Sequence, residues 1–164
     1  MHSQAIDTLY RAHGHVVLRR ARSLLGNEED AHDVLQEVFA SLVDRPTQIR
    51  GESSVATWLY SATTHSCLNR LRNQRTRKRL LLEHPPAPAE RAAPRAETAA
   101  IVKDLFARIP PDLAEAAIYY YADEMTHDEI ARVLGCSRRH VGDLLTRLRA
   151  LIEGQEISHD GTEA

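Results

Sequence analysis

Thr126-His-Asp-Glu-Ile-Ala-Arg-Val-Leu-Gly-Cys-Ser-Arg-Arg-His-Val141 is the stretch from which the fold is read. Thr126 and Glu129 stand at capping-box spacing, in which the threonine side chain accepts from the third helical N–H and the glutamate reaches back to the cap. A short helix is expected to begin there, burying Ile130, Ala131 and Leu134. Gly135 reads as its left-handed terminator, because glycine enters that conformation without a Cβ clash. Ser137 reads as the cap of a second helix that buries Val141, Leu144 or Leu145, and Leu148. Ala131 is small enough to let the two helices approach. The pattern predicts a helix, a tight turn and a second helix.

Working outward, Ile101, Leu105 and Phe106 open an apolar face that Pro110-Pro111 breaks, and a helix is expected around Leu113 to Tyr121. Residues 83–97 contain four prolines and almost nothing to bury, which predicts a partly extended linker. Before it, Val55, Trp58, Leu59, Ala62, Leu68 and Leu71 mark a helix running into a basic cluster. A polar loop from Pro46 to Ser54 separates it from a helix that starts near Glu28 and turns Ala31, Val34, Leu35, Val38, Phe39 and Leu42 inward. Its first turn is acidic, where the helix dipole favours carboxylates. The first helix carries Ile6, Leu9, Tyr10, His13, Val16, Val17, Ala21 and Leu24 on one face and ends at Gly26-Asn27.

The expected architecture is all-α, with a helical domain over residues 1–82, the linker, a second helical domain over 98–153 and a disordered tail over 154–164. Composition agrees: 43% of residues are apolar and 27% charged, as in ordinary globular proteins, and only 5% are aromatic, so the cores must rest on aliphatic side chains. Cys67 and Cys136 form no CxxC pair and predict no disulfide framework. No signal segment or membrane span is read in the sequence, so a cytoplasmic protein without membrane insertion is expected.

Charge is distributed unevenly on a chain whose formal net charge is -2. From Ser23 to Asp44 there are six acids and no lysine or arginine, whereas Arg70-Leu-Arg-Asn-Gln-Arg-Thr-Arg-Lys-Arg79 holds six cations in ten residues. Such a cluster focuses a field that a polyanion feels, and nucleic acid is the commonest partner. In the helix-turn-helix layout the exposed side of the second helix enters the major groove, here offering Ser137, Arg138, Arg139, His140, Asp143 and Arg147. Gly142 and Asp143 oppose strong binding, the first by weakening the helix and the second by repelling phosphate. No Ser-His-Asp arrangement, P-loop or dinucleotide fingerprint appears, so an enzyme is not expected. His13 and His15 are two residues apart and fall on different helix faces, so neither a metal site nor a cofactor is expected.

Asp30-Ala-His-Asp-Val-Leu-Gln-Glu-Val-Phe-Ala-Ser-Leu42, followed by Thr57-Trp-Leu-Tyr60 and then by the arginine cluster, resembles a bacterial sigma factor of the extracytoplasmic-function class. The resemblance assigns residues 5–80 to region 2 and 98–152 to region 4, with the proline-rich piece replacing the domain between them in larger sigma factors. It implies that Asp30, Asp33, Gln36, Glu37 and Phe39 dock on RNA polymerase core. It also implies that the helix carrying His65 and Asn69 reads the minus-ten promoter element, with Arg70, Arg72, Arg75, Arg77, Lys78 and Arg79 contacting the backbone. Family members usually show Asn and Asp where this chain has His65 and Asn69, so promoter choice is expected to differ. The loop Gln48 to Ser54 is placed by analogy at a flipped-base pocket. The second domain would read the minus-thirty-five element. Anti-sigma proteins commonly sequester such factors, and the sequence leaves open whether one exists here. The rival reading is a two-domain regulator that binds DNA without joining polymerase.

Overall fold

A computed structural model describes residues 2–45, 54–81 and 102–160 and is helical throughout its regular elements. In order these are α1 (His2–Leu25), α2 (Glu28–Asp44), α3 (Val55–Leu81), α4 (residues 102–108), α5 (Pro111–Ala117), a π-helical turn (Ile118–Ala122), α6 (His127–Leu134) and α7 (Arg138–Asp160). The chain divides into two compact units, Met1–Ile109 and Pro110–Ala164.

In the first unit α1, α2 and α3 pack pairwise around an aliphatic core. Gly26 ends α1 at φ +66, and the Asn27 side chain accepts the Asp30 N–H to start α2. The core consists of Val17, Ala21 and Leu25 from α1, Ala31, Val34, Leu35, Val38, Phe39 and Leu42 from α2, and Leu59, Cys67 and Leu71 from α3. Full burial of each large aliphatic side chain contributes roughly 1.5–3 kcal/mol. Tyr10 and Val16, expected inside, are exposed at 47% and 38%, and Leu25 is buried in their stead. The inward stripe of α1 thus runs through Val17, Ala21 and Leu25, a strict i, i+4, i+8 row.

Thr63 and Thr64 are fully buried on α3, and their hydroxyls donate back to the Leu59 and Tyr60 carbonyls at 2.6 and 3.0 Å. Those bonds remove the penalty of an unsatisfied buried hydroxyl. Burial pushes the Cys67 thiol up to about 12, whereas Cys136 is half-buried and its pKa is raised by a partial loss of solvent. Since the thiolate is the nucleophile, iodoacetamide at neutral pH should label Cys136 and leave Cys67 unmodified until denaturant is added. Mass spectrometry of the labelled protein checks this, and equal labelling of both thiols under native conditions would contradict the packing of α3.

The sequence reading ends the first domain at 82 and starts the second at 98 after the linker; in space α4 and Ile109 group with the first unit, which extends to Ile109. Lys103 Nζ donates to the Leu25 carbonyl at the end of α1, Asp104 accepts from Arg75 Nε at 3.3 Å, and the Ile109 carbonyl accepts from Arg72 Nη2 at 3.2 Å. Ala107 packs against the core of the first unit. These bonds hold α4 to α1 and α3, although its own apolar spacing gave no hint of which unit it would join. The expected linker, 83–97, and the loop from Pro46 to Ser53 lie outside the described residues.

The second unit is built as its sequence predicts around α6 and α7. Both halves of the capping box are made, with Glu129 N–H to Thr126 Oγ1 at 3.3 Å and Thr126 N–H to Glu129 Oε2 at 2.7 Å. Gly135 is left-handed at φ 66, ψ 35, and Ser137 Oγ accepts the His140 N–H at 3.1 Å. Ile130, Ala131, Val141, Leu144, Leu145 and Leu148 are buried together with Leu113, Ile118 and Tyr119, while Leu134 is half-buried. Leu144 and Leu145 are both inside, because α5 and α6 each pack on α7 and between them cover a wide stripe. Buried Glu115 accepts the Tyr119 hydroxyl at 2.7 Å.

Two features of this unit depart from the sequence reading. The helix after Leu113 widens into the π-helical turn, and Glu124 beyond it sits at φ 54, a conformation that costs a non-glycine residue roughly 1–3 kcal/mol. The tail expected to be disordered from 154 continues α7 as far as Asp160. One glycine, Gly154, costs only about 1 kcal/mol, too little to stop a helix already nucleated by several turns.

Candidate nucleic-acid and polymerase interface

The outward face of α2 is acidic because Asp30, Asp33 and Glu37 recur at i, i+3 and i+7 opposite the apolar stripe. On α3, Ser66, Arg70 and Gln74 recur at i, i+4 and i+8. These two rows meet. Arg70 Nη1 lies 3.3 Å from Asp30 Oδ1 and 3.4 Å from Asp33 Oδ2, and Nη2 lies 2.5 Å from Glu37 Oε1. Gln74 Nε2 donates to the other Asp30 oxygen at 2.7 Å, and Ser66 Oγ donates to the other Glu37 oxygen at 2.7 Å.

Arg70 is only 22% exposed. Burial alone would lower its pKa, but the charge and hydrogen bond of Glu37, with Asp30 and Asp33 behind it, raise it above the ordinary guanidinium value. Its Nε is buried and meets no acceptor among the described residues, a loss of solvation of the kind that costs about 1–3 kcal/mol. The carboxylates remain partly open to solvent, Asp33 at 49% and Glu37 at 53%. Between α2 and α3 lies a polar groove of about 270 Å³ lined by Asn69, Asn73 and Arg77 as well as by the network.

The structure therefore separates residues that the sequence grouped. Gln36 is exposed on α2, whereas Phe39 is 5% exposed and packs edge-to-face on Tyr10 with ring centroids 5.0 Å apart, so its ring is a core element. It continues the row of Val34, Leu35 and Val38, which is why it points inward. Of the basic cluster, Arg70 is held by α2, Arg75 by Asp104 of α4 and Arg72 by the Ile109 carbonyl just after it, whereas Arg77, Lys78 and Arg79 are exposed and their side chains meet no acid among the described residues. His65 and Asn69 are exposed on the same helix. Gln74, Ser66 and Asn73 were missed; their i±4 and i+3 spacing from Arg70, set against an all-acidic partner helix, was the available signal.

At the start of α7, Arg138, Arg139, His140, Asp143 and Arg147 are all exposed, while the Ser137 hydroxyl is committed to capping the helix. Arg138 lies 3.9 Å from Asp128 and Arg147 3.5 Å from Asp112. All four side chains are about half or more exposed, and surface pairs of this kind contribute at most about 1 kcal/mol, so either arginine can turn to another anion.

Comparison with known proteins separates the readings that this geometry supports. Sigma-70 region 2 matches residues 9–77, and Sigma-70, region 4 matches residues 99–152. The ECF RNA polymerase sigma factor SigM of Mycobacterium tuberculosis is 30% identical over 152 residues, which span 89% of this chain and 74% of that protein. The chain belongs to the ECF sigma factors.

RNA polymerase sigma factor YlaC of Bacillus subtilis is 24% identical over 155 residues, 90% of each chain. The solved structure of CnrH in complex with the cytosolic domain of CnrY shares the fold, with a TM-score of 0.53 at 22% identity over 95% of this chain and 90% of that one. As an ECF sigma factor the protein binds RNA polymerase core and promoter DNA and directs the polymerase in transcription initiation. The reading as an operator-binding regulator that works without polymerase is not favoured. Sigma factors are regulatory proteins. In this sigma factor the α2–α3 network lies within the region 2 match and the α6–α7 pair within the region 4 match, while α4 belongs to the region 4 match in sequence and to the first unit in space. Among the described residues no helix is long and apolar enough to cross a membrane.

Proposed function

We propose a division of the sigma factor's work among three surfaces. The α2 face of Asp30, Asp33, Gln36 and Glu37 docks on a basic surface of the polymerase. The outer side of α3, with His65, Asn69 and the cations Arg77, Lys78 and Arg79, meets the minus-ten element, joined by Arg72 and Arg75 where α4 yields them. The first turns of α7, with Arg138, Arg139, His140, Asp143 and Arg147, meet the minus-thirty-five element. The protein acts in the cytoplasm by capturing opened DNA and performs no catalysis of its own.

The observation that carries this reading is the continuity of α3, which places a row of exposed cations directly after residues that border an acidic helix. Phosphate contacts from such a row position the protein, and base-edge contacts select the sequence. Each reader alone is weak. Placing both on one chain raises the effective concentration of the second once the first is bound. An anti-sigma protein would act by covering the same α2 or α3 surfaces.

In vitro transcription with bacterial core polymerase and a promoter library tests the whole reading. Transcripts that depend on the added protein are expected, and their absence with folded protein would reject it. Within that assay Arg138→Ala with Arg139→Ala should lower initiation about 10-fold or more at promoters with an upstream element and remove the upstream footprint, since a good bidentate base contact is worth about 1–3 kcal/mol. An unchanged upstream footprint would remove both arginines from the interface.

A further inference from the structure

The position of Arg70 is not that of a phosphate ligand. Its two terminal nitrogens face Asp30, Asp33 and Glu37, and its Nε is buried without an acceptor among the described residues. Yet it lies seven residues, two helical turns, before exposed Arg77, and both line the groove that Asn69 and Asn73 share. A change of side-chain rotamer would therefore add Arg70 to the cationic row of α3 without moving the backbone.

DNA alone gains little from drawing it out. Removing the guanidinium leaves three carboxylates beside the incoming phosphate, and like charges at such range repel. A cationic partner seated on α2 changes the balance by neutralising those carboxylates first. Gln74 and Ser66 keep the Asp30 and Glu37 carboxylates in place when Arg70 leaves, because each bonds the oxygen that Arg70 does not use.

We propose that Arg70 is an electrostatic switch between the two faces of the first unit, held by Asp30, Asp33 and Glu37 in the free protein and handed to the DNA backbone when a basic partner surface occupies those carboxylates. This rests on the docking role given to α2 above. Linkage then makes the effect reciprocal: the factor by which polymerase strengthens DNA binding through Arg70 equals the factor by which DNA strengthens polymerase binding. The switch thus predicts weaker DNA binding by the free factor than by the factor seated on polymerase.

The test uses the full chain and a labelled single-stranded oligonucleotide, with affinity read by anisotropy over a range of salt. Asp33→Asn with Glu37→Gln removes two of the holding charges without reversing them. DNA affinity is expected to rise about 10-fold, with the salt slope steeper by about 0.7, the value for one added single-strand phosphate contact. The same pair of changes in an Arg70→Ala background is expected to gain less than about 3-fold. An equal gain in both backgrounds would mean that the acids act only by long-range repulsion, and no gain in either would mean that Arg70 is not releasable; both overturn the switch. Should Arg70→Ala lower the melting temperature, Arg70→Met keeps the aliphatic stem and serves as the second background.

Polymerase is absent from that cycle, so its outcome does not depend on where the polymerase docks. A separate titration with core polymerase tells the two apart. Arg70→Ala should tighten polymerase binding several-fold by removing a competitor for the carboxylates, whereas weaker binding would make Arg70 an organiser of the docking face and overturn the switch. Polymerase binding that ignores Asp33 and Glu37 altogether would defeat the docking reading while leaving the DNA cycle to decide the intramolecular lock.

Discussion

Asp33→Lys combined with Glu37→Lys should lower affinity for bacterial core polymerase at least about 100-fold while the helical fold is retained. Both carboxylates are about half exposed on one face of α2, and neither contributes to the apolar row of Val34, Leu35 and Val38 behind them. Breaking a charged, hydrogen-bonded pair at an interface costs about 2–5 kcal/mol, and roughly 2.8 kcal/mol is a factor of 100. Reversal, unlike removal, also sets like charge against a basic partner. Within the protein the change faces Arg70, which at 22% exposure is close enough to solvent to swing outward. The circular dichroism spectrum should therefore match that of the parent. Polymerase affinity within about 3-fold of the parent, measured on a protein with that spectrum, would show that α2 is not the docking face.

Leu144→Ala should unfold the second unit with little effect on the first. Leu144 is 1% exposed on α7, the helix against which both α5 and α6 pack. Truncations of this kind cost about 2–5 kcal/mol, and a unit this small seldom has more than about 3–5 kcal/mol to lose. The single tryptophan, Trp58, packs against the core of the first unit, so its emission reports that unit alone. The expected result is a loss of helical signal corresponding to α5 through α7, with Trp58 emission unchanged and minus-thirty-five-dependent transcription abolished. A parallel shift of tryptophan emission would show that the two units fold as one, and retention of the full helical signal would show that Leu144 is not a core residue.

Much of this was legible before any coordinates. Thr126, Glu129, Gly135 and Ser137 act through bonds to neighbours three to five residues away, so local spacing was sufficient to place α6, its turn and α7. The stops at Gly26 and Asn27 were legible for the same reason. Residues whose role depends on another helix were harder. Arg70 belongs to a cationic run by sequence and to an acidic network by packing, because the α3 row that holds it faces the acidic row of α2, and no local spacing announces that pairing. Phe39 was read both as an inward residue and as a contact for polymerase, and burial supports the first. For α4, the decisive groups are the Leu25 and Ile109 carbonyls and Asp104, and backbone acceptors leave no mark in sequence. The π-helical turn has no side-chain signature at all: its wider hydrogen bonding, Ile118 carbonyl to Asp123 N–H at 3.0 Å, exists only in three dimensions.

The attachment of α4 sets how the length of the proline-rich stretch enters stability. Leu81 and residue 102 both belong to the first unit, so the two ends of the stretch between them are tied to one body. As long as α4 stays bound, the number of residues between those ends enters stability only logarithmically: halving it would change the closure entropy by about 0.6 kcal/mol.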